Sequence, residues 1–300
     1  MPELPDIELY LHALRPRLIS RRVRAIRIAS PFLVRTADPP MDTFVGKEID
    51  GLSRLGKRVV FHLEGAFLVL HLMVAGRLRW LPDAAALPKK IGLAAIDVDG
   101  GSLFITEAGS THRASLHAAA DGVALAAMDP GGLEVLSAGP AQFRGRLTAE
   151  RHTLKRALTD PAIFSGIGNA YSDEILHRAK LSPLRMTDAL SADQVERLRV
   201  ATQTVLVEWR DTLIRQAGDR FPERVTAFRP EMAVHGRYNL PCPVCATPIQ
   251  RIRYASNEAN YCPACQTEGR LLADRALSRL LGADWPRSLD ELERLKASRR

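Results

Sequence analysis

Apolar residues recur at helical intervals from the start of the chain, at Ile7, Leu11, Leu14 and Leu18, and predict an amphipathic helix over residues 6–19. The period then shortens. Residues 23–28 alternate, residues 59–63 and 67–73 form two apolar runs split by Glu64-Gly65, and further runs lie at 78–81, 93–98, 103–106 and 116–125. Many short strands separated by Gly and Pro predict an all-β sandwich or barrel. Beyond Asp129-Pro130-Gly131-Gly132 the helical period returns, over residues 148–159, 169–180 and 191–216. The last of these carries Val195, Leu198, Val205, Trp209 and Leu213 on one side. Residues 218–236 show no period; a loop that long is a candidate functional element. Two short helical patterns, residues 271–281 and 289–295, flank Asp284-Trp285-Pro286. The layout is α+β: a sheet domain over 1–131, a helical domain over 148–237, a compact unit over 238–267 and a helical extension over 268–300.

Composition narrows the partner. Among 300 residues, 42 Lys and Arg against 34 Asp and Glu leave a net charge of +8, which favours a polyanion. No apolar run reaches membrane-spanning length, and the acidic, amphipathic start is unlike a signal peptide, so a cytoplasmic protein without a membrane partner is expected.

Cysteine usage is sharper. The four cysteines, Cys242, Cys245, Cys262 and Cys265, read Cys-x2-Cys, sixteen residues, Cys-x2-Cys. That is the spacing of a four-cysteine zinc site, in which two knuckles each present two thiolates and a hairpin joins them. Two disulfides or a redox dithiol are the alternatives, but nothing suggests secretion and there is no fifth thiol. One structural zinc is the expectation. With four protein ligands it has no open position for chemistry.

The first residues, Met1-Pro2-Glu3-Leu4-Pro5-Asp6, carry a candidate nucleophile. Initiator methionine is normally trimmed before a residue as small as proline, which would leave Pro2 with a secondary amine. An α-amino group has a pKa near ~8 against ~10.4 for lysine, so about a tenth is neutral near pH 7. A neutral amine can form a Schiff-base intermediate, and a carboxylate beside it, Glu3, can move protons.

Taken together, the opening Pro-Glu-Leu-Pro, the segment Gly166-Ile167-Gly168-Asn169-Ala170-Tyr171 and the four-cysteine finger resemble the formamidopyrimidine-DNA glycosylase / endonuclease VIII family over roughly residues 2–266. The resemblance implies an N-terminal β-sandwich, a helix–two-turn–helix module and a zinc finger, with damaged DNA, double- or single-stranded, held by a monomer between the halves. It implies a bifunctional DNA glycosylase and abasic-site lyase, in which Pro2 attacks the anomeric carbon of a flipped nucleotide and Glu3 is the acid/base. Lys57 matches a lysine that binds phosphate near the lesion and is grouped with Pro2 and Glu3 as catalytic. Asn169, Lys155 and His71 match DNA-facing positions, and Asn169 also suits an N-cap. Asp6 stands where these enzymes usually have glutamate.

Several reading elements depart from the pattern. Val74 occupies the position of an inserted methionine, and Ala108-Gly109-Ser110-Thr111-His112 replaces Pro-Arg-Arg-Phe-Gly, so Gly109 and Thr111 stand for the Arg and Phe of the wedge. Arg113 or His112 is the available substitute. In the finger, Asn257 falls where an arginine usually clamps phosphate, leaving Arg253 or Arg251 to supply that charge. The rival readings are a non-catalytic paralogue that grips damaged or branched DNA and, from charge alone, a zinc-stapled RNA-binding protein.

Overall fold

The computed structural model describes residues 1–298 except 84, 110, 254–257, 274–277, 280, 281, 283 and 284. The chain divides into two compact units, Met1–Gly132 with Val207–Ala227, and Leu133–Leu206 with Phe228–Arg300. Among the described residues, no helix is long and apolar enough to cross a membrane.

The first unit opens with helix α1, Leu4–Leu18. Pro5 lies in its first turn, where the missing N–H costs no helical bond. Its apolar face, with Ile7, Tyr10, Leu11, Leu14 and Leu18, is fully buried. Eight strands follow: β1 Arg21–Ile28, β2 Glu48–Leu55, β3 Arg58–Leu63, β4 Ala66–His71, β5 Gly76–Leu81, β6 Gly92–Val98, β7 Gly101–Glu107 and β8 Ser115–Ala119. They hydrogen-bond in the order β5-β7-β6-β1-β2-β3-β4-β8. Strand β1 belongs to both halves. Arg21 and Arg22 pair with β2, whereas Val23 to Ile28 pair with β6, with a register shift in that ladder. A shift of this kind bends a strand and raises its twist, which lets one ladder turn from one layer into the next. Phe61, Leu68 and Leu70 of one half and Ile96, Leu103 and Ile105 of the other share a single core with α1, the sandwich expected.

Two features of this unit escape the periodicity. Strand β2 contains Asp50, Gly51 and Ser53, which blur the alternation that marks a strand, yet it is paired along its length with β3. The apolar run expected as strand to residue 125 instead ends at Ala119. Asp121 then caps helix α2, Gly122–Ala126, by accepting from the Ala124 nitrogen at 2.8 Å.

The second unit is mainly helical: α3 Pro140–Thr148, α4 Leu154–Thr159, α5 Asn169–Arg178 and α6 Ala192–Ala217. Of the helix expected over 148–159 only α4 forms, capped by Thr153, and residues 149–153 separate it from α3, which Pro140 starts. Phe143 and Phe164 stack at 4.8 Å in its core. Helix α6 serves both units. Leu213 and Val225 are buried in the sandwich core, with Trp209, Ile214, Ala217 and Phe221 packed against it, so the helical domain expected over 148–237 lends residues 207–227 to the N-terminal unit. The cysteine-bearing unit adds the hairpin β9 Gln250–Arg253 and β10 Glu258–Tyr261 and helix α7, Pro263–Thr267. Helix α8, Leu289–Ala297, matches the second terminal pattern, and the first falls largely outside the described residues.

Candidate functional site

In the first unit the chemistry-bearing residues gather at the N-terminus of α1. Pro2, Glu3 and Asp6 are all buried. Asp6, one turn into the helix, accepts from the Glu3 backbone nitrogen at 3.0 Å and so fixes the residue that follows Pro2. The Met1 α-amino group has its pKa lowered from 8.0, chiefly by burial. Glu3 opposes that shift, Arg77 adds to it, Asp6 opposes it and Lys57 adds to it. Four charged side chains therefore act on the chain's first nitrogen, two of each sign.

Lys57 is delivered by a two-residue hairpin. Leu55 pairs with Arg58, and Gly56 takes φ +62°, the conformation that a first turn position in a type II′ hairpin demands. The Glu8 carboxylate accepts from Arg54 Nε at 3.0 Å, and Arg54 Nη1 donates to the Gly56 carbonyl at 3.1 Å. Helix α1 thus holds both the terminal residues and the hairpin that presents Lys57. Burial lowers the Lys57 pKa, and Glu3 pulls it back up.

His71 ends β4 opposite Arg58 on one side and Ser115 on the other. Burial, with Arg58, Lys57 and His117 nearby, drops its pKa to about 4, and its Nε2 is buried with no hydrogen-bond partner among the described residues. The neutral imidazole therefore faces a cluster of positive groups, an arrangement suited to an anion. Val74 sits at the tip of the following turn, 57% exposed. That turn is tight: Met73 takes φ +52°, and a Cβ on Gly76 would lie 2.2 Å from the Leu72 carbonyl oxygen. Gly109, Thr111, His112 and Arg113 are exposed, while Ser110 lies outside the described residues. The buried Glu107 carboxylate accepts from the Arg113 and Ala114 nitrogens at 2.9 and 3.0 Å, pinning the base of this loop.

In the second unit, Gly166 at φ +82° and Gly168 lead into α5, which Asn169 begins. The helix N-terminus leaves N–H groups unpaired and carries partial positive charge. Asn169 is partly exposed, and no partner for its side-chain amide is seen among the described residues. Lys155 differs from expectation. It is 8% exposed and spends its ammonium on the Asp173 carboxylate at 2.5 Å and the Asn169 carbonyl at 2.6 Å. Instead of facing solvent, it braces the backbone of Asn169.

Periodicity gave no sign of the carboxylates that organise this unit. Asp173, fully buried, also accepts from His235 Nδ1 at 2.8 Å and Asn260 Nδ2 at 3.2 Å. Its neighbour Glu174 accepts from the backbone nitrogens of Ala233, Val234 and His235 at 2.7, 2.9 and 3.0 Å. Burial raises the Glu174 pKa, and those three N–H groups pull it down. Adjacent acids on α5 thereby tie α4, the segment before the finger and strand β10 to one helix. A charged helix residue ordinarily reads as a solvated face, and only its tertiary surroundings show otherwise.

The four cysteine sulfurs lie within 4.8 Å of one another, as a tetrahedron with zinc–sulfur bonds of ~2.3 Å requires. The Val244 nitrogen donates to Cys242 Sγ at 3.4 Å, and His177 Nε2 on α5 lies 3.3 Å from the same sulfur. The set fits one structural zinc. On the hairpin, Arg251 pairs with Glu258 at 3.4 Å and lies 4.2 Å over the Tyr238 ring, whereas Arg253 is exposed. Asn257 lies outside the described residues.

Three family models match the chain: the formamidopyrimidine-DNA glycosylase N-terminal domain at residues 1–128, the formamidopyrimidine-DNA glycosylase H2TH domain at 133–211, and a zinc finger found in FPG and IleRS at 239–267. The formamidopyrimidine-DNA glycosylase of Symbiobacterium thermophilum is 33% identical, with 92% of this chain and 93% of that protein covered. Its counterpart from Thermus thermophilus is 32% identical over 90% of this chain and 100% of its own length. The crystal structure of the Thermus thermophilus MutM (Fpg) protein superposes with a TM-score of 0.74 at 30% identity, covering 88% of this chain and 98% of that one. A Lactococcus lactis FPG mutant complexed with a Fapy-dG-containing DNA superposes with a TM-score of 0.76 at 24% identity, covering 89% and 100%, a likeness of fold.

Proposed function

This chain belongs to the formamidopyrimidine-DNA glycosylase family of base-excision repair enzymes, and from that premise we propose that it removes a damaged base from DNA and then cuts the strand at the abasic site. The observation that carries the reading is the setting of the first residues: Pro2, Glu3 and Asp6 are buried at the start of α1, and Glu3, Arg77, Asp6 and Lys57 all act on the α-amino group of Met1, the residue whose trimming exposes Pro2. The Pro2 amine is exposed in that setting, and its neutral form is the state that attacks carbon.

Removal of Met1 exposes the Pro2 amine. Its lone pair attacks C1′ of a nucleotide rotated out of the stack, because that carbon is unreachable inside a duplex. The glycosidic bond breaks with its electron pair going to the base, which leaves with a proton. Opening of the sugar gives an iminium ion. This acidifies the C2′ hydrogen; its loss expels the 3′ phosphate, and water then frees the amine. Glu3 is placed to carry protons in these steps. Lys57 supplies a point charge for phosphate beside the reacting sugar, and His71 a neutral ring that can donate to the next. Asn169 and Arg253 contribute phosphate contacts from the second unit. DNA, duplex or single-stranded, is the partner, bound by a monomer carrying one zinc.

Incubation with abasic-site DNA and borohydride tests this directly. The expected product is a covalent adduct mapped by mass spectrometry to Pro2, absent when an N-terminal tag blocks the amine. Strand cutting by the tagged protein sinks the mechanism. Binding of abasic DNA with neither adduct nor cutting would favour the non-catalytic paralogue.

A further inference from the structure

Arg77 is the second residue of β5, directly after the turn that carries Val74. Its backbone is fixed from two directions. It pairs with Thr106 of β7, whose hydroxyl donates to the Arg77 carbonyl at 3.2 Å, and the next nitrogen along, that of Leu78, donates to Tyr10 Oη on α1 at 3.3 Å. The side chain folds back on the turn. Nη1 donates to the Gly76 carbonyl at 2.7 Å and to the Val74 carbonyl at 3.2 Å, and the turn itself is closed by the Gly76 nitrogen on the Leu72 carbonyl at 2.9 Å. Both N–H groups of Nη1 are thereby used. Those of Nε and Nη2 lie along another edge of the guanidinium, and no partner for them is seen among the described residues.

A partly exposed arginine on a strand is ordinarily a solvated side chain that must be ordered before it can bind. Here Nη1 is anchored to backbone, so the ordering cost of using the remaining edge has been met in advance. The place of that edge matters as well. Arg77 acts on the Met1 α-amino group, and of the two cations that do so it has the larger effect, ahead of Lys57. Glu3 and Asp6 act on the same nitrogen from α1, Lys57 from the β2–β3 hairpin and Arg77 from β5. Arg77 and Asp6 both act on buried Tyr10 too. The guanidinium therefore lies beside the terminus whose trimming exposes Pro2. A sugar carbon within bonding reach of the Pro2 amine brings its flanking phosphates with it. A planar fork of N–H groups matches two oxygens of one phosphate, which a lysine ammonium does not.

We propose that the Nε–Nη2 edge of Arg77 grips a phosphate flanking the reacting sugar, as a second phosphate-binding element beside Lys57. The inference rests on the reading of this chain as a DNA glycosylase, and the test separates the two. The probe is DNA with a tetrahydrofuran in place of the abasic sugar, which the amine cannot attack. In two further probes an uncharged methylphosphonate replaces the phosphate on one side of the tetrahydrofuran or on the other. On the all-phosphate strand Arg77→Met should bind about tenfold more weakly, the order expected for lost charge-assisted hydrogen bonds, and its salt slope should fall by about one phosphate. Arg77→Lys, a point charge without a fork, should recover the slope and only part of the affinity. With the methylphosphonate at the contacted position, the unsubstituted protein and Arg77→Met should bind within about twofold of each other, because the partner of the fork is gone. At the other position the gap should persist. A gap of equal size on all three DNAs makes Arg77 a brace for the turn alone and overturns the contact. No gap on the all-phosphate strand overturns it as well. Binding of the tetrahydrofuran strand without a borohydride adduct on true abasic DNA refutes the glycosylase reading, and the phosphate contact is then decided by the methylphosphonate comparison by itself.

Discussion

Lys155 and Asp173 form a buried ion pair, Nζ to Oδ1 at 2.5 Å, that commits the lysine to the interior of its unit. Removing one partner of such a pair leaves an uncompensated buried charge, at a cost of about 3–5 kcal/mol. Lys155→Met is therefore expected to destabilise the protein by that order in urea unfolding. Asn169→Ala, at a partly exposed side chain, should instead leave the unfolding midpoint nearly unchanged while weakening DNA binding several-fold. If Lys155→Met lowers the salt dependence of DNA binding by one phosphate and spares stability, the lysine faces DNA and the buried pair is irrelevant to its role.

The pH profile of adduct formation should follow the Pro2 amine, which trimming exposes next to the position where burial lowers the Met1 α-amino pKa. A Pro2 amine lowered in the same way loses its proton earlier as pH rises, so the nucleophile accumulates through an inflection below the ordinary α-amino value of ~8 and then plateaus. Lys57 is one of the charges lowering the Met1 α-amino pKa, so Lys57→Gln should move the Pro2 inflection upward as well. The measurement is the single-turnover trapping rate between about pH 5 and about pH 9, at saturating DNA, a window that brackets the ordinary α-amino value. A rate still climbing at the alkaline end in the unsubstituted protein would point to an unperturbed amine.

His71 gives a second pH signature, in stability. Its folded pKa of about 4 lies below the ordinary 6.5, so between those values the unfolded chain binds more protons than the folded one. Stability from this residue is present above pH 6.5 and drains away as pH falls toward 4. His71→Leu should flatten the fall in unfolding free energy across that window. An unchanged slope would mean that the imidazole titrates freely.

What the sequence disclosed and what it hid follow from how local each signal is. The zinc ligands were legible because two close pairs of cysteines need no knowledge of the fold, and the fold brings their sulfurs together. Strands β3, β4, β6 and β7 were legible because each buries a short apolar run. Strand β2 was not, since Asp50, Gly51 and Ser53 interrupt its alternation. Helix α6 keeps one period across residues 206 and 207, so nothing in it announced that its two ends serve different units. Pro2, Glu3 and Lys57 came from family resemblance, because a proline at the second position and a lysine in a turn are individually unremarkable. Asp173, Glu174 and His235 remained invisible: their partners lie some 60 residues away or more, apart from Lys155 at 18.

Glu174 offers a graded test of the support beneath the finger. Glu174→Ala leaves three backbone donors, two of them fully buried, without an acceptor, each worth about 1–3 kcal/mol. Glu174→Gln retains one amide oxygen and should cost less. The expected order in thermal melting is unsubstituted, then Gln, then Ala, with zinc bound more weakly in the Ala variant as the segment before Cys242 loosens. Chelation of the metal should abolish DNA binding outright, because metal binding and folding of the finger are one event. Equal melting of all three proteins would show that water replaces the carboxylate without loss.

The final expectation concerns the base opposite the lesion. Val74 stands exposed at the tip of a tight turn, and the exposed loop beyond Glu107 carries Gly109 and Thr111 where the family resemblance implies arginine and phenylalanine. Discrimination between bases needs donors and acceptors aimed at a base edge, and a valine or threonine methyl offers none to cytosine. Filling a vacated space in the stack likewise takes a large apolar side chain, which neither residue provides. Excision rates for one lesion placed opposite each of the four bases should therefore agree within about threefold, and bubble or single-stranded substrates should be cut at least as fast as duplex, because they require less unstacking. Val74→Met should raise the duplex rate relative to the single-stranded rate. A preference of about a hundredfold for cytosine would show that Arg113 or His112, in the loop whose base Glu107 pins, has taken over the reading role.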